Sequence, residues 1–107
     1  MNDAGENKEG LAAHDWAADA GKRWLAQLDR FESMIEPIGK ALLDQAAYSA
    51  SETVVDIGCG GGWTTRQIAS AVGDTGFVVG LDISPDLVAT ARDRARHAGL
   101  ANIRFEQ

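Results

Sequence analysis

Val54-Val55-Asp56-Ile57-Gly58-Cys59-Gly60-Gly61-Gly62 carries an apolar strand through an acid into four glycines within five positions. Lacking a Cβ, Gly58, Gly60, Gly61 and Gly62 predict a sharp turn at a strand's carboxyl end, where the backbone can lie directly against a ligand. A second apolar run, Phe77-Val78-Val79-Gly80-Leu81, ends at Asp82. That acid stands about 20 residues beyond the glycines, where a nucleoside-binding α/β half-domain uses a carboxylate to accept hydrogen bonds from two ribose hydroxyls.

Outward from this pair the pattern alternates between strand and helix. Thr64 to Val72 reads as a helix stopped by Gly73 in a Gly-Asp-Thr-Gly turn. Ser84-Pro85-Asp86 starts another: serine caps a free amide, proline suits the first helical position and aspartate complements the positive end of the dipole. Leu87, Ala91, Ala95 and Ala98 form its inner stripe, Arg92, Asp93, Arg94 and Arg96 read as a solvated face, and Gly99 caps its end. Ile103-Arg104-Phe105 begins a third strand. With right-handed crossovers, this order predicts a parallel sheet of order 3-2-1. The expected class is α/β, a Rossmann-like three-layer sandwich truncated to three parallel strands and preceded by N-terminal helices.

Toward the N-terminus, residues 1–13 are expected to be a flexible tail and residues 14–50 a helical lid segment, with the ligand-binding domain at 51–107. Trp16, Ala20, Trp24, Leu28, Phe31 and Ile35 recur at helical steps on one face. Pro37 is expected to end or kink that helix, and a second helix over residues 38–48 carries Ile38, Ala41, Leu42 and Ala46.

The 107 residues and 45% hydrophobic content suit one small domain, and no apolar run reaches the length of a spanning helix. A formal net charge of -6 argues against a nucleic-acid backbone as partner. Cys59 is the lone cysteine, in keeping with a cytoplasmic setting. A nucleophilic Cys59 is conceivable at a helix N-terminus, but no histidine lies near it in sequence, and a small filler is the simpler reading. His14 and His97 read as surface residues, and no metal-ligand spacing occurs.

Which nucleoside the loop takes is decided by its charges. Trp63 occupies the place of the third glycine of the dinucleotide fingerprint, and the Gly-Lys-Ser/Thr of a phosphate loop is missing. Asp56 at the loop entrance disfavours a pyrophosphate. It suits S-adenosyl-L-methionine, which has no phosphate and carries an ammonium and a sulfonium beside a ribose.

Val-Val-Asp-Ile-Gly-Cys-Gly-Gly-Gly followed by Gly-Leu-Asp-Ile-Ser resembles class I S-adenosylmethionine-dependent methyltransferases. Trp16, Gly21, Trp24, Thr64-Thr65, Val72-Gly73, Ala91-Arg92 and Asn102-Ile103-Arg104-Phe105 extend the similarity to a bacterial small-molecule branch. The resemblance implies a cofactor site of Asp56, Gly58, Cys59, Gly60, Gly62, Asp82 and Ile83. Within it Asp56 would hold the methionine amino end, Gly58 and Gly60 allow close approach, Asp82 bind the ribose and Ile83 pack on the adenine. It implies a small-molecule methyl acceptor, and N-terminal helices that can fold over the cofactor as a lid; Trp16 and Trp24 read first as helix core, with Trp24 closing the methionine end as the other reading. In the family a Gly-Asp pair, further helices and four more strands follow the third strand, so the chain is expected to present the N-terminal half of the catalytic domain. No catalytic base is identified, and no membrane partner is expected. The other expectation is a non-catalytic nucleotide-binding or assembly module, in which the open first strand pairs with another copy as a homodimer.

Overall fold

The structure is a computed structural model and describes residues 12–107. Three helices, α1 (Ala13–Ala17), α2 (Asp19–Ala26) and α3 (Leu28–Ala46), precede a β1 (Thr53–Ile57), α4 (Trp63–Val72), β2 (Phe77–Leu81), α5 (Pro85–His97), β3 (Ile103–Glu106) succession. The strands are parallel in the order β1-β2-β3, with Val54 opposite Val78 and Val78 opposite Ile103. The predicted α/β order is thus met.

Alternation along the strands divides the sheet into two unlike faces. Val54, Asp56, Val78, Gly80, Ile103 and Phe105 share the face that α4 and α5 cover. Val78, Ile68, Ala69 and Val72 form one core cluster there, and Cys59, Val88, Ala91, Ala95 and Phe105 form the other. On the opposite face Val55 is 55% and Ile57 82% exposed. The described residues therefore build a sheet and the helical layer on one side of it.

Local chemistry sets the ends of α4 and α5. Leu87 N–H donates to Ser84 Oγ at 3.2 Å, with Pro85 in the first turn. At the other end Gly99 takes φ +70 and its N–H donates to the Arg96 carbonyl, the left-handed cap expected of glycine. Ala98, expected in the inner stripe, is the exposed C-cap residue instead.

The N-terminal helices depart most from the expected pattern. The amphipathic stretch is broken at Ala18 (φ -125, ψ -111) and Gln27 (φ -115, ψ 18), and not at Pro37, which lies inside α3. Pro37 removes the donor to the Ser33 carbonyl, but both residues are exposed and water can hydrate that carbonyl. Because α3 is continuous, its phase is fixed by Leu28, which is buried, by Gly39 against Trp63 and by Leu43 against the core. That rotation leaves Ile38, Ala41, Leu42 and Ala46 exposed. The expected tail falls, up to residue 11, outside the described residues.

Gly62 joins the glycine loop to α4 at φ +84, and a Cβ there would lie 2.8 Å from the Phe105 ring and 3.0 Å from Ala91. Left-handed strain and overpacking both apply, so Gly62→Ala is expected to cost about 2–5 kcal/mol. Gly99→Ala meets open space and should cost only about 1–2 kcal/mol. Urea unfolding of the two variants checks the contrast; equal losses would show that Gly62 is not a packing constraint.

Candidate functional site: a cleft at the strand ends

Hydrogen bonds that return to β2 build the glycine loop. The N–H groups of Gly58 and Cys59 both donate to the Leu81 carbonyl, at 2.7 and 2.9 Å. Gly60 N–H donates to Asp82 Oδ2 at 2.8 Å, and Ser84 N–H donates to Asp82 Oδ1 at 2.9 Å. One carboxylate therefore ties the loop to the start of α5. A carboxylate has about four lone-pair sites, so each oxygen keeps acceptor capacity toward a ligand.

A cleft of about 670 Å³ opens beside this junction, within the usual size of a small-molecule site. Gly58, Gly60, Asp82 and Ile83 line one side and Trp16 and Trp24 the other. Gly58 (φ +75) and Gly60 (φ +55) are strained positions for any other residue, and a Cβ on either would have nothing within 4 Å. Their bare backbone faces open space that a ligand can fill.

The three other candidates lie behind the cleft wall. Asp56 alternates onto the helix-covered face, where Thr65 Oγ1 donates to its Oδ2 at 2.7 Å. Burial raises its pKa, the Thr65 bond partly opposes this, and the negative charge of Asp82 adds to the rise. Cys59 is packed in the core beside Phe105, and burial, with Asp82 and Asp56 adding, pushes its thiol up to about 12. A neutral, enclosed thiol is no nucleophile, so the filler reading holds. Gly62 is occupied in packing against Phe105.

Aromatic contacts hold the N-terminal wall of the cleft. Trp24 stacks on Phe31 with ring centroids 4.4 Å apart and meets Trp16 edge-on at 6.1 Å. Helix α2 approaches α5 closely because Gly21 has no side chain: a Cβ there would sit 2.7 Å from Ser84 Oγ. Ile57, Leu81, Leu87 and Gln107 also line the cleft; the sequence placed the first three in strands and a helix stripe and did not assign them to the cofactor site. The end of a strand just before the glycine loop, and just before the acid, was the available signal for Ile57 and Leu81. Arg94, expected on a solvated face, instead bonds Glu32 and Asp29 at 2.6 Å each.

A parallel sheet with a glycine loop after β1 and an acid after β2 defines the cofactor half of a class I S-adenosylmethionine-dependent methyltransferase fold. The model of a family described as "Methyltransferase domain" matches residues 49–107. The chain belongs to that family. It is 42% identical over 67 residues to an aklanonic acid methyltransferase of Streptomyces sp. (strain C5), covering 63% of this chain and 30% of that protein. To a ubiquinone biosynthesis O-methyltransferase of Methylococcus capsulatus it is 35% identical over 66 residues, covering 62% of this chain and 27% of that protein. The solved structure of an RNA methyltransferase from Salinibacter ruber in complex with S-adenosyl-L-homocysteine superposes with TM-score 0.60 at 33% identity, over 66% of this chain and 46% of that one. The chain thus spans less than a third of both curated relatives.

Asp56 supplies a pH test of the wall. Its folded-state pKa lies above the ordinary 3.8, so within that window the native state holds a proton the unfolded chain has released. Stability therefore falls as pH rises through the window. Asp56→Asn keeps an acceptor for Thr65 and removes the buried charge. It should raise the urea midpoint at pH 7 and gain less or nothing near pH 3; an equal gain at both would remove burial of charge as the cause.

Proposed function

We propose that the cleft binds S-adenosyl-L-methionine and that the whole protein is a methyltransferase acting on a small molecule. The observation that carries this reading is the bonding of the loop itself. Of the five amides from Gly58 to Gly62, those of Gly58, Cys59, Gly60 and Gly62 donate to Leu81, Asp82 or Cys59. Amides so engaged are poor pyrophosphate donors, whereas free acceptor positions on Asp82 suit a ribose.

S-adenosylmethionine supplies an activated methyl group on a sulfonium leaving group, so the protein's part is approach geometry and exclusion of water. Gly58 and Gly60 would let the ligand lie against the backbone, and Ile83 would pack on the adenine. Asp56, Cys59 and Gly62 would act from behind, shaping the loop through its backbone. Trp16 and Trp24, in the N-terminal lid segment, would face the cationic end, where an aromatic face attracts positive charge. The small-molecule acceptor rests on the relatives named for aklanonic acid and ubiquinone and on the net charge of -6. Among the described residues no helix is long and apolar enough to cross a membrane; a cytoplasmic setting is part of the proposal.

Titration calorimetry with S-adenosylhomocysteine tests it. Asp82→Ala should lower affinity about tenfold or more, and Trp24→Ala about three- to tenfold, with folding followed by circular dichroism. Binding of NADH in place of S-adenosylhomocysteine, or an affinity indifferent to Asp82, would remove the reading.

A further inference from the structure

Besides the cleft, the described surface shows the exposed stripe Met34, Ile38 and Leu42 on α3, the exposed sheet-face residues Val55 and Ile57, and a charged cluster where α3 meets α5. The charged cluster reaches the glycine loop. Arg94 Nη1 donates to Glu32 Oε1 and Nη2 to Asp29 Oδ1, both at 2.6 Å. The side chains of Arg94 and Glu32 are 25% and 17% exposed, that of Asp29 94%. Solvent screens the Asp29 arm far more than the Glu32 arm.

Glu32 is also wedged against the glycine loop. A Cβ on Gly61 would lie 2.6 Å from Leu28 Cδ2 and 2.9 Å from Glu32 Oε2, so the first turns of α3 rest on loop backbone. From the other side Arg66 Nη1 donates to the Gly61 carbonyl at 3.1 Å. Burial lowers the Arg66 pKa, Arg94 lowers it further and Glu32 opposes them. Glu32 thus stands as the counter-charge between two guanidinium groups, one on α5 and one reaching the loop. Trp24 precedes this clamp and is stacked on Phe31 within it.

We infer that Arg94 is a positioning residue for the cofactor cleft, acting through Glu32 to seat α3 on the glycine loop and so hold Trp24 at the cleft wall. The inference rests on the reading of the cleft as an S-adenosylmethionine site. Gly21 against Ser84 fixes the start of α2, and the Arg94–Glu32 pair fixes the α2–α3 corner. Trp24 lies between these anchors, so loosening the second lets the aromatic wall swing while the sheet stays intact.

The test uses the protein in a Trp63→Phe background, so that emission reports Trp16 and Trp24. Arg94→Met and Arg94→Lys are compared by S-adenosylhomocysteine calorimetry at low and high salt, by acrylamide quenching and by urea unfolding. Arg94→Met should weaken binding about fivefold at low salt, expose the tryptophans to quencher and abolish the salt dependence of affinity. Arg94→Lys should restore part of each. Should Arg94→Met fail to fold, Glu32→Gln is read in the same assays with the same expected losses. A urea midpoint that falls while affinity stays within about twofold and quenching is unchanged would make the pair merely structural, overturning the inference and leaving the cofactor reading standing. Absence of binding by the unaltered protein would instead end the cofactor reading, and the inference with it.

Discussion

The Asp82 carboxylate is the constraint on which the site depends. It stands at the end of β2, accepts the Gly60 amide from the loop after β1 and accepts the Ser84 amide at the start of α5. Three elements are thus referenced to two oxygen atoms. Charge-assisted bonds to backbone amides are short and directional, so the carboxylate plane is set before any ligand arrives. The same bonds leave acceptors facing the cleft while directing amide donors inward. The loop is accordingly a better surface for hydroxyls and cationic groups than for phosphate.

Much of the α/β part was legible because its signals are local. A serine-proline-aspartate start, a glycine end and strands of four or five residues each report on neighbours in sequence, and the structure uses them at those positions. Gly58, Gly60, Asp82 and Ile83 were legible as a group because both motifs end parallel strands in matched register, with Ile57 opposite Leu81. Asp56 and Cys59 belong to the same stretch, yet the two-residue alternation of a strand sends Asp56 to the helix-covered face, and the turn folds Cys59 into the core. Motif membership indicated proximity to the cleft; it did not indicate direction.

The N-terminal half was harder to read because its breaks carry no local mark. Ala18 and Gln27 are ordinary helix-compatible residues, and they leave helical geometry because Gly21 must reach α5 and Leu28 must reach Gly61. Pro37 carries the strongest breaker signal in the region, yet lies on a wet side of α3 where the lost hydrogen bond is hydrated. The Arg94–Glu32 pair spans 62 positions, a separation at which charge patterning along one helix gives no information.

The unequal faces of the sheet bear on how the cleft is made. In β1 the outward positions Val55 and Ile57 are as apolar as inward Val54, and Val79 and Leu81 continue that row on β2. Strands apolar on both faces have the composition of parallel strands covered on both sides. Ile57 and Leu81 also line the cleft, so its floor is the carboxyl end of the uncovered face. Whatever covers that face would desolvate the floor and strengthen every hydrogen bond to Asp82, because a carboxylate binds its donors more strongly as water is excluded. On the proposed reading, the glycine loop and Asp82 would fix the orientation of a ligand, and the depth of its burial would depend on the covering of that apolar face.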